Sequence, residues 1–321
     1  MLFVILQVID VYYLIFILTD NLYKVKNSIM SDKVLNVIVT YNRLDDLKVC
    51  VHNVKAQTYR DIDILVVNNG STDGTTEFLA EQKDIKVINQ DNLGGAGGFY
   101  AGMKFMIDNG YDWLWMMDDD GIPDSKQLET MISFYKKTGF VFLNALVIDK
   151  DDHSKLAFGP LNGDKYTYVN EVTQDEDFDV MIYPFNGTLI KREVIEKIGL
   201  IKKDCFIWGD EHEYSLRAKH FGYSLHTVTT AIHYHPTLKA HRGRVFPGLS
   251  HKNVLVQPKH FSHYFYRNQG YIDHTYNDYH HIFTKFIIRN SVYFIRTGQF
   301  KELCKLFKYY IRGWHNNYEN S

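Results

Sequence analysis

The stretch Trp113-Leu114-Trp115-Met116-Met117-Asp118-Asp119-Asp120 decides the fold. Five apolar residues that run straight into three adjacent carboxylates are typical of a buried strand whose carboxyl end carries charge at the edge of a sheet. Ligands bind at that edge of α/β sheets, and neighbouring carboxylates repel one another unless a cation lies between them. Mg²⁺ is usually held by one or two carboxylates together with substrate phosphates. Asp118 to Asp120 are therefore predicted to form half of a metal–diphosphate site, and a solvated acidic turn is the alternative.

The composition indicates a globular protein. With 321 residues, of which 45% are hydrophobic and 15% aromatic, the chain can bury one large core or two smaller ones. A formal net charge of −2 gives no reason to expect nucleic acid as a partner. Cys50, Cys205 and Cys304 lie far apart and show neither a disulfide pattern nor metal-ligand spacing. These features favour a reducing, cytoplasmic location.

Residues 1–30 form an apolar leader with three open interpretations. The apolar run from Met1 to Thr19 barely reaches the length that spans a bilayer, and it lacks the charged start and cleavage site of a signal peptide. It could be a marginal membrane anchor, an interfacial segment, or translated upstream sequence with the true start at Met30. The third interpretation is favoured because Met30 leads directly into the first predicted strand.

The order of elements predicts an α/β fold with a Rossmann-like, doubly wound and mostly parallel sheet. Helical segments separate the strands, and each strand ends in a polar or glycine-rich tip. Past Asp120 we expect a helix, a strand and then an acidic stretch, 149–179, that forms a hairpin or flexible loop over the site. The first four predicted strands are 34–40, 62–67, 85–89 and 113–117, and the helices between them are 44–57, a helix from Thr75, and 99–109.

The glycine-rich segment Asn92–Gly98 matches neither a P-loop nor a dinucleotide-binding fingerprint. Its glycines would let the backbone approach an anionic ligand at a helix N-terminus. The alternative is a loop whose glycines serve backbone conformation alone.

A second acidic cluster follows the apolar residues Phe206-Ile207-Trp208. Asp210, Glu211 and Glu213 fall in the first turn of a predicted helix, where the helix dipole favours carboxylates. For Glu213 that capping role suffices. Asp210 and Glu211 are candidates for a partly desolvated general base.

A strand predicted over 224–232 delivers His233 and His235, and Pro236 follows. We expect the two histidines to point to opposite faces, so that only one of them reaches the site.

The C-terminal part, 246–321, is predicted to be helical. From Phe283 to Trp314, apolar residues recur at helical spacing, accompanied by seven Lys or Arg residues and a single acid, Glu302. A basic amphipathic helix of this kind indicates a membrane-surface element. Helices that pack back on the catalytic domain, with solvated cations, are the alternative.

Five segments occur in this order along the chain: 37–43, 67–73, the glycine-rich segment, 118–120 and 208–217. Together they are similar to the family 2 inverting glycosyltransferases of GT-A fold, especially the branch of bacterial galactofuranosyl- and rhamnosyltransferases. The resemblance covers roughly 34–236 and implies a GT-A catalytic domain at 31–245.

The resemblance implies roles for individual residues. Glu211 lies at the position of the catalytic base, and Asp210 is the reserve because relatives more often carry Asp there. Many relatives have an acid where this chain has Asn69, which weakens that base contact. The implied ligands of a Mn²⁺ or Mg²⁺ ion are Asp120, Asp118 and His235, with His233 in reserve. The implied nucleotide-sugar contacts are Thr40, Tyr41, Arg43, Asn69, Asn92, Gly95, Asp118, Asp119 and Trp208.

The activity implied is metal-dependent, inverting transfer of a sugar from a nucleotide donor. The expected donor is UDP-galactofuranose, and dTDP-rhamnose is the alternative. The expected acceptor is a lipid-linked glycan or cell-surface polysaccharide, reached from the cytoplasm at the inner membrane surface, and a homo-oligomer is possible. A non-catalytic membrane-bound glycan-assembly protein and a nucleotidyltransferase with a similar sheet are the less favoured alternatives.

Overall fold

A mixed sheet of nine strands carries the fold in the computed structural model, which describes residues 32–159, 166–179, 185–237, 242–246, 253–276 and 284–319. The strand order is β3-β2-β1-β4-β8-β6-β9-β5, with β7 paired to β9. The first four strands are parallel, β8 runs antiparallel between β4 and β6, and β6 is parallel to β9. The strands are β1 Val34–Thr40, β2 Ile62–Asn68, β3 Ile85–Asn89, β4 Trp113–Asp118, β5 Ile122–Pro123, β6 Phe142–Asp149, β7 Asp177–Phe178, β8 Thr188–Lys191 and β9 His226–His235. The predicted mostly parallel α/β sheet is confirmed.

Helices cover both faces of this sheet, because its central strands are apolar on both sides. Along β4, Trp113 and Trp115 enter one core, while Leu114 and Met116 enter the other. Such alternation follows from the twofold period of a strand. The helices are α1 Leu44–Lys55, α2 Thr75–Ala80, α3 Gly94–Asp108, α4 Gln127–Thr138, α5 Arg192–Ile198 and α6 Asp210–His220.

Helix α3 begins five residues earlier than predicted, at Gly94 instead of Phe99. The glycines lie inside the helix because α3 packs tightly on β1. A Cβ atom at Gly98 would lie 2.4 Å from a methyl group of Val39, and one at Gly102 would lie 2.5 Å from a methyl group of Val37. Close packing therefore explains these glycines.

The acidic stretch 149–179 contacts the sheet at both of its ends. The β7 strand pairs with Val228 and Thr227, at the opposite end of β9 from His233 and His235. Near the start of the stretch, the ring of Phe158 lies 4.9 Å from that of His235, beside the predicted site. The expectation that this stretch covers the site is therefore wrong for β7 and stays a prediction for the rest.

The C-terminal helices are confirmed. A short hairpin, β10 Arg242–Arg244 and β11 Asn253–Leu255, precedes α7 Ser262–Tyr276, α8 Lys285–Arg296 and α9 Phe300–Trp314. Glycines bring α7 and α9 together, since a Cβ atom at Gly270 would lie 2.1 Å from the carbonyl oxygen of Tyr310. Among the helices of the described residues, none is both long enough and apolar enough to cross a membrane. The apolar leader, 1–30, lies outside the described residues, and the predicted boundaries at 30 and 245 stay a prediction.

Candidate active site

The acidic turn, Asp118–Asp120, lies at the carboxyl end of β4 and is held by partners from two other strands. The Oδ2 atom of Asp119 accepts a hydrogen bond of 2.7 Å from the hydroxyl of Thr40, at the end of β1. Asp120 forms an ion pair with Arg43, and its Oδ1 atom lies 3.0 Å from Nε2 of His235, at the end of β9. The carboxyl ends of β1, β4 and β9 thus converge on these carboxylates.

Asp118, Asp120 and His235 are placed so that they could hold a metal ion. One ligand atom from each lies within 4.8 Å of the others. The Nδ1 atom of His235 donates to the carbonyl oxygen of Pro236 at 2.8 Å, which leaves Nε2 directed at the carboxylates. In metal sites, a hydrogen bond from the other ring nitrogen typically orients a ligating histidine. Two carboxylates with one imidazole suit Mn²⁺ or Mg²⁺.

The protonation of the acidic turn indicates a shortage of positive charge. Burial, followed by the charges of Asp120 and Asp119, raises the pKa of Asp118 to about 8. Burial also raises the pKa of Asp119 to about 7. For Asp120, burial is outweighed by His235 and Arg43, which bring its pKa to about 2. A cation beside Asp118 would favour its charged form and relieve this repulsion.

The expectation that His233 and His235 point to opposite faces was wrong, because residues two apart on a strand share a face. Both imidazoles are buried, and they differ in depth along that face. The Nδ1 atom of His233 lies 3.1 Å from the side-chain amide of Gln127, and burial lowers its pKa to about 3. His233 therefore lies beneath the turn, outside the group of three possible ligands.

The second acidic cluster, Asp210, Glu211 and Glu213 at the start of α6, lies within electrostatic reach of the acidic turn. The charge of Glu211 contributes to the raised pKa of Asp118. Burial, and then Glu211, raise the pKa of Asp210. The backbone N–H of Gly209 donates to Oε2 of Glu211 at 3.3 Å, so Glu211 makes the capping contact that was expected of Glu213.

Glu213 has a different role from its neighbours. It is fully buried, and its Oε2 atom accepts from Arg217 Nη2 at 2.6 Å. The hydroxyl of Tyr276, on α7, donates to its other oxygen. Its charge is therefore neutralised inside the protein.

Phe206, two residues before Trp208, contacts the glycine-rich segment, although more than 100 residues separate them in the sequence. The N–H of Ala96 donates to the carbonyl oxygen of Phe206 at 3.2 Å. Around Gly95 there is open space, and no atom of the described residues lies within 4 Å of where a Cβ atom would be. The Oδ1 atom of Asn92 accepts from the N–H of Gly94 at 3.0 Å, which orients this opening of α3.

Of the residues predicted to contact the nucleotide base, some are exposed to solvent, and one is hydrogen-bonded within the protein. Tyr41 is 47% exposed and Arg43 is half-exposed. Asn69 is buried, and its side chain donates to the carbonyl of Gly94 at 3.0 Å and accepts from Gln90 Nε2 at 2.7 Å. Asn69 is therefore largely engaged within the protein.

Two residues beside the site were missed by the sequence analysis. Asn42 and Asp73 help to line a surface pocket of about 320 Å³ next to Arg43. Asn42 accepts from the N–H of Thr72 at 2.7 Å, and Asp73 accepts from the N–H of Leu44 at 2.9 Å. The signal was present, because polar residues at two adjacent strand ends had already been recognised.

Comparison with known proteins identifies the family. Residues 36–199 match the model of glycosyl transferase family 2. The chain is 30% identical over 253 residues to the galactofuranosyltransferase GlfT1 of Mycobacterium tuberculosis H37Rv, covering 76% of this chain and 83% of that protein. It belongs to glycosyltransferase family 2. GlfT1 of Mycolicibacterium smegmatis is 28% identical to this glycosyltransferase over 75% of the chain.

Solved structures show that this glycosyltransferase has the GT-A fold. S. aureus TarS 1-349 in complex with UDP-GlcNAc superposes with a TM-score of 0.56 at 12% identity, covering 88% of this chain and 81% of that one. GalNAc-T7 with UDP, GalNAc and Mn²⁺ also gives a TM-score of 0.56, at 16% identity, covering 81% of this chain and 51% of that one. The fold and the enzyme class expected from the sequence are confirmed, while the individual site residues stay a prediction.

Proposed function

We propose that this enzyme is a metal-dependent inverting galactofuranosyltransferase, which moves galactofuranose from UDP-galactofuranose to a lipid-linked or cell-surface polysaccharide acceptor. The observation that carries the proposal is the group formed by Asp118, Asp120 and His235, with Glu211 within electrostatic reach of it. A donor diphosphate with its cation, and an acceptor hydroxyl with its base, need such an arrangement. The similarity to GlfT1 over most of both chains supports the choice of sugar.

The protein's own residues divide the work between the two acidic clusters. Asp118, Asp120 and His235 would hold Mn²⁺ or Mg²⁺, which supplies positive charge where the diphosphate leaves. Glu211, partly exposed at the start of α6, takes the proton from the acceptor hydroxyl. Attack on the anomeric carbon from the face opposite the diphosphate inverts its configuration. Arg43, half-exposed beside Asp120, is positioned to bind the diphosphate.

Donor binding extends outward from this centre. Thr40, Tyr41 and the pocket beside Arg43 are the proposed nucleotide contacts, because they follow β1 and β2, on one side of β4. Trp208, two residues from the Phe206 that contacts α3, and the open space at Gly95 are the proposed sugar contacts.

The C-terminal helices support membrane association at the cytoplasmic face. Ile288 and Ile295 on α8 and Phe300 on α9 are 52%, 55% and 60% exposed. The one acid of α8 and α9, Glu302, is buried and pairs with Lys305, so the exposed face of these two helices is basic and apolar. Such a surface binds anionic lipid.

Sedimentation with anionic and with neutral vesicles tests this membrane association. Binding of the Ile288→Asp/Ile295→Asp double variant to anionic vesicles that equals binding of the wild type would contradict it.

The decisive experiment is release of the nucleoside diphosphate from a panel of donors, with and without Mn²⁺, by protein starting at Met30. The expected result is metal-dependent release of UDP from UDP-galactofuranose. Turnover of dTDP-rhamnose instead would change the sugar and leave the reaction class intact. Absence of release from every donor, even with a polysaccharide or lipid-linked acceptor added, would overturn the proposal.

A further inference from the structure

The loop Asp204–Gly209, which carries Trp208 and leads into Asp210 and Glu211, has an unusual backbone. Phe206 and Trp208 have φ values of 65° and 59°, and Gly209 has a φ of 103°. Non-glycine residues seldom adopt positive φ, and such conformations persist only where surrounding structure holds them. Something outside the 204–209 loop must therefore maintain its shape.

The side chain of Asn268, on α7, provides that support. Its Nδ2 atom donates to the carbonyl oxygens of Cys205, Ile207 and Trp208 at 2.9, 3.1 and 2.9 Å. Without a donor at their centre, three converging carbonyl oxygens would repel one another. The side-chain oxygen and nitrogen of Asn268 cannot be exchanged either, because the side-chain oxygen would then face the three carbonyl oxygens.

Neighbouring residues of α7 extend the contact. Arg267 Nη2 donates to the carbonyl oxygen of Asp204 at 2.6 Å, and the ring of Tyr264 stacks on that of Phe206 at 4.5 Å. A Cβ atom at Gly209 would lie 3.3 Å from the Cβ of Asn268, so glycine also permits the close approach. One face of α7 is thus shaped to the 204–209 loop.

We propose that Asn268 is a positioning residue, which holds the 204–209 loop so that Trp208 and the proposed base Glu211 face the donor. This inference rests on the proposed function. Asn268 is buried and its side-chain amide donates to backbone carbonyls of the loop, so it acts through the loop backbone. Misplacement of a reacting group by about 1 Å can lower a rate by about 100-fold.

The test compares Asn268→Ala with Asn290→Ala. Asn290, on α8, is a matched control because it is also buried and its Nδ2 atom bonds within its own helix, to Phe286 at 2.9 Å. In Asn268→Ala we expect kcat to fall roughly 10- to 100-fold while KM for the donor changes less, because the nucleotide contacts lie on other strands. Asn290→Ala, which also removes a buried amide, should keep kcat within about twofold.

Hydrogen exchange separates a failure of this inference from a failure of the proposed function. Exchange of the amides of 205–209 should speed up in Asn268→Ala and not in Asn290→Ala, whichever reaction the wild type catalyses. Unchanged exchange and unchanged kcat in Asn268→Ala would overturn the proposal. If Asn268→Ala does not fold, Asn268→Ser replaces it in the test, because the serine hydroxyl keeps one hydrogen-bond donor. Its kcat should fall, but by less than the roughly 10- to 100-fold expected of Asn268→Ala. Misfolding of both variants would also overturn the proposal, since Asn268 would then serve folding alone.

Discussion

The acidic turn and the start of α6 each place three carboxylates close together, and the protein treats them differently. At α6, Glu213 is neutralised by Arg217 and Tyr276, which are permanent partners. In the acidic turn, Asp120 has partial partners in Arg43 and His235, while the pKa of Asp118 is raised to about 8 by burial and by its acidic neighbours. Glu213, which is paired with a cationic side chain of the protein, serves the fold. Asp118, whose pKa is raised, is available for a metal ion or a proton.

The largest effect is expected from Glu211, the carboxylate at α6 with the least support. Removing a general base typically lowers the rate by ~10²–10⁴-fold. Glu211→Gln should show that loss in kcat while UDP binding, measured by calorimetry, is retained. Its Gly209 contact can pass to the amide oxygen, so folding is preserved. Normal turnover in Glu211→Gln would move the base to Asp210.

Asp120→Asn should have the next largest effect. The substitution removes one of three possible metal ligands and a partner of His235. We expect kcat to fall by about 10³-fold, since metal ions contribute several kcal/mol and each 1.36 kcal/mol is tenfold in rate. The control is Asp119→Asn, the same substitution at the neighbouring residue. The carboxylate of Asp119 accepts a hydrogen bond from Thr40 and is not one of the three possible ligands. Mn²⁺ binding weakened equally in both variants would contradict the assignment of ligands.

Glu213→Ala should lower the free energy of unfolding, because Glu213 serves the fold and has no proposed part in the chemistry. Breaking a buried ion pair typically costs about 3–5 kcal/mol. Arg192 and Glu196 form a comparison pair with the same four-residue spacing, joined at 2.7 Å, in which the Glu196 side chain is half-exposed. Glu196→Ala should cost less than about 1 kcal/mol, as exposed pairs do. Urea unfolding of both variants measures the difference, and equal losses would refute the structural role of Glu213.

The sequence predicted the parts of the molecule that local pattern controls. The bounds of β1 and β3 agree with prediction because mainly apolar, β-branched segments end there at polar residues. The start of α3 was missed, since glycines weaken an isolated helix and only tertiary contacts explain them, as those of Gly94 with Phe206 and of Gly98 with Val39 do. The contact of Asn268 with the 204–209 loop joins residues about 60 positions apart, which no local pattern can indicate.

The smallest effect expected is on the pH dependence of stability, to which the acidic turn contributes. Without metal, the pKa of Asp118 is about 8 and that of Asp119 about 7, against 3.8 for an ordinary Asp. Between these values the two folded carboxyls bind more protons than in the unfolded chain, so their contribution to the free energy of unfolding falls as the pH rises from about 4 to about 8. The lowered pKa of His233 acts in the opposite direction below about pH 6.5. The lowered pKa of Asp120 acts only in acid, below about pH 4.

Added Mn²⁺ replaces those protons, so it should raise the melting temperature more at about pH 8 than at about pH 5. Asp118→Asn is the matched variant, because it lacks the group with the most strongly raised pKa in the turn. Its metal-free melting temperature should depend less on pH, and Mn²⁺ should stabilise it less. A metal effect that is the same at both pH values in the wild type would mean that protons and metal do not compete for the acidic turn, and the contrast with Glu213 would then rest on packing alone.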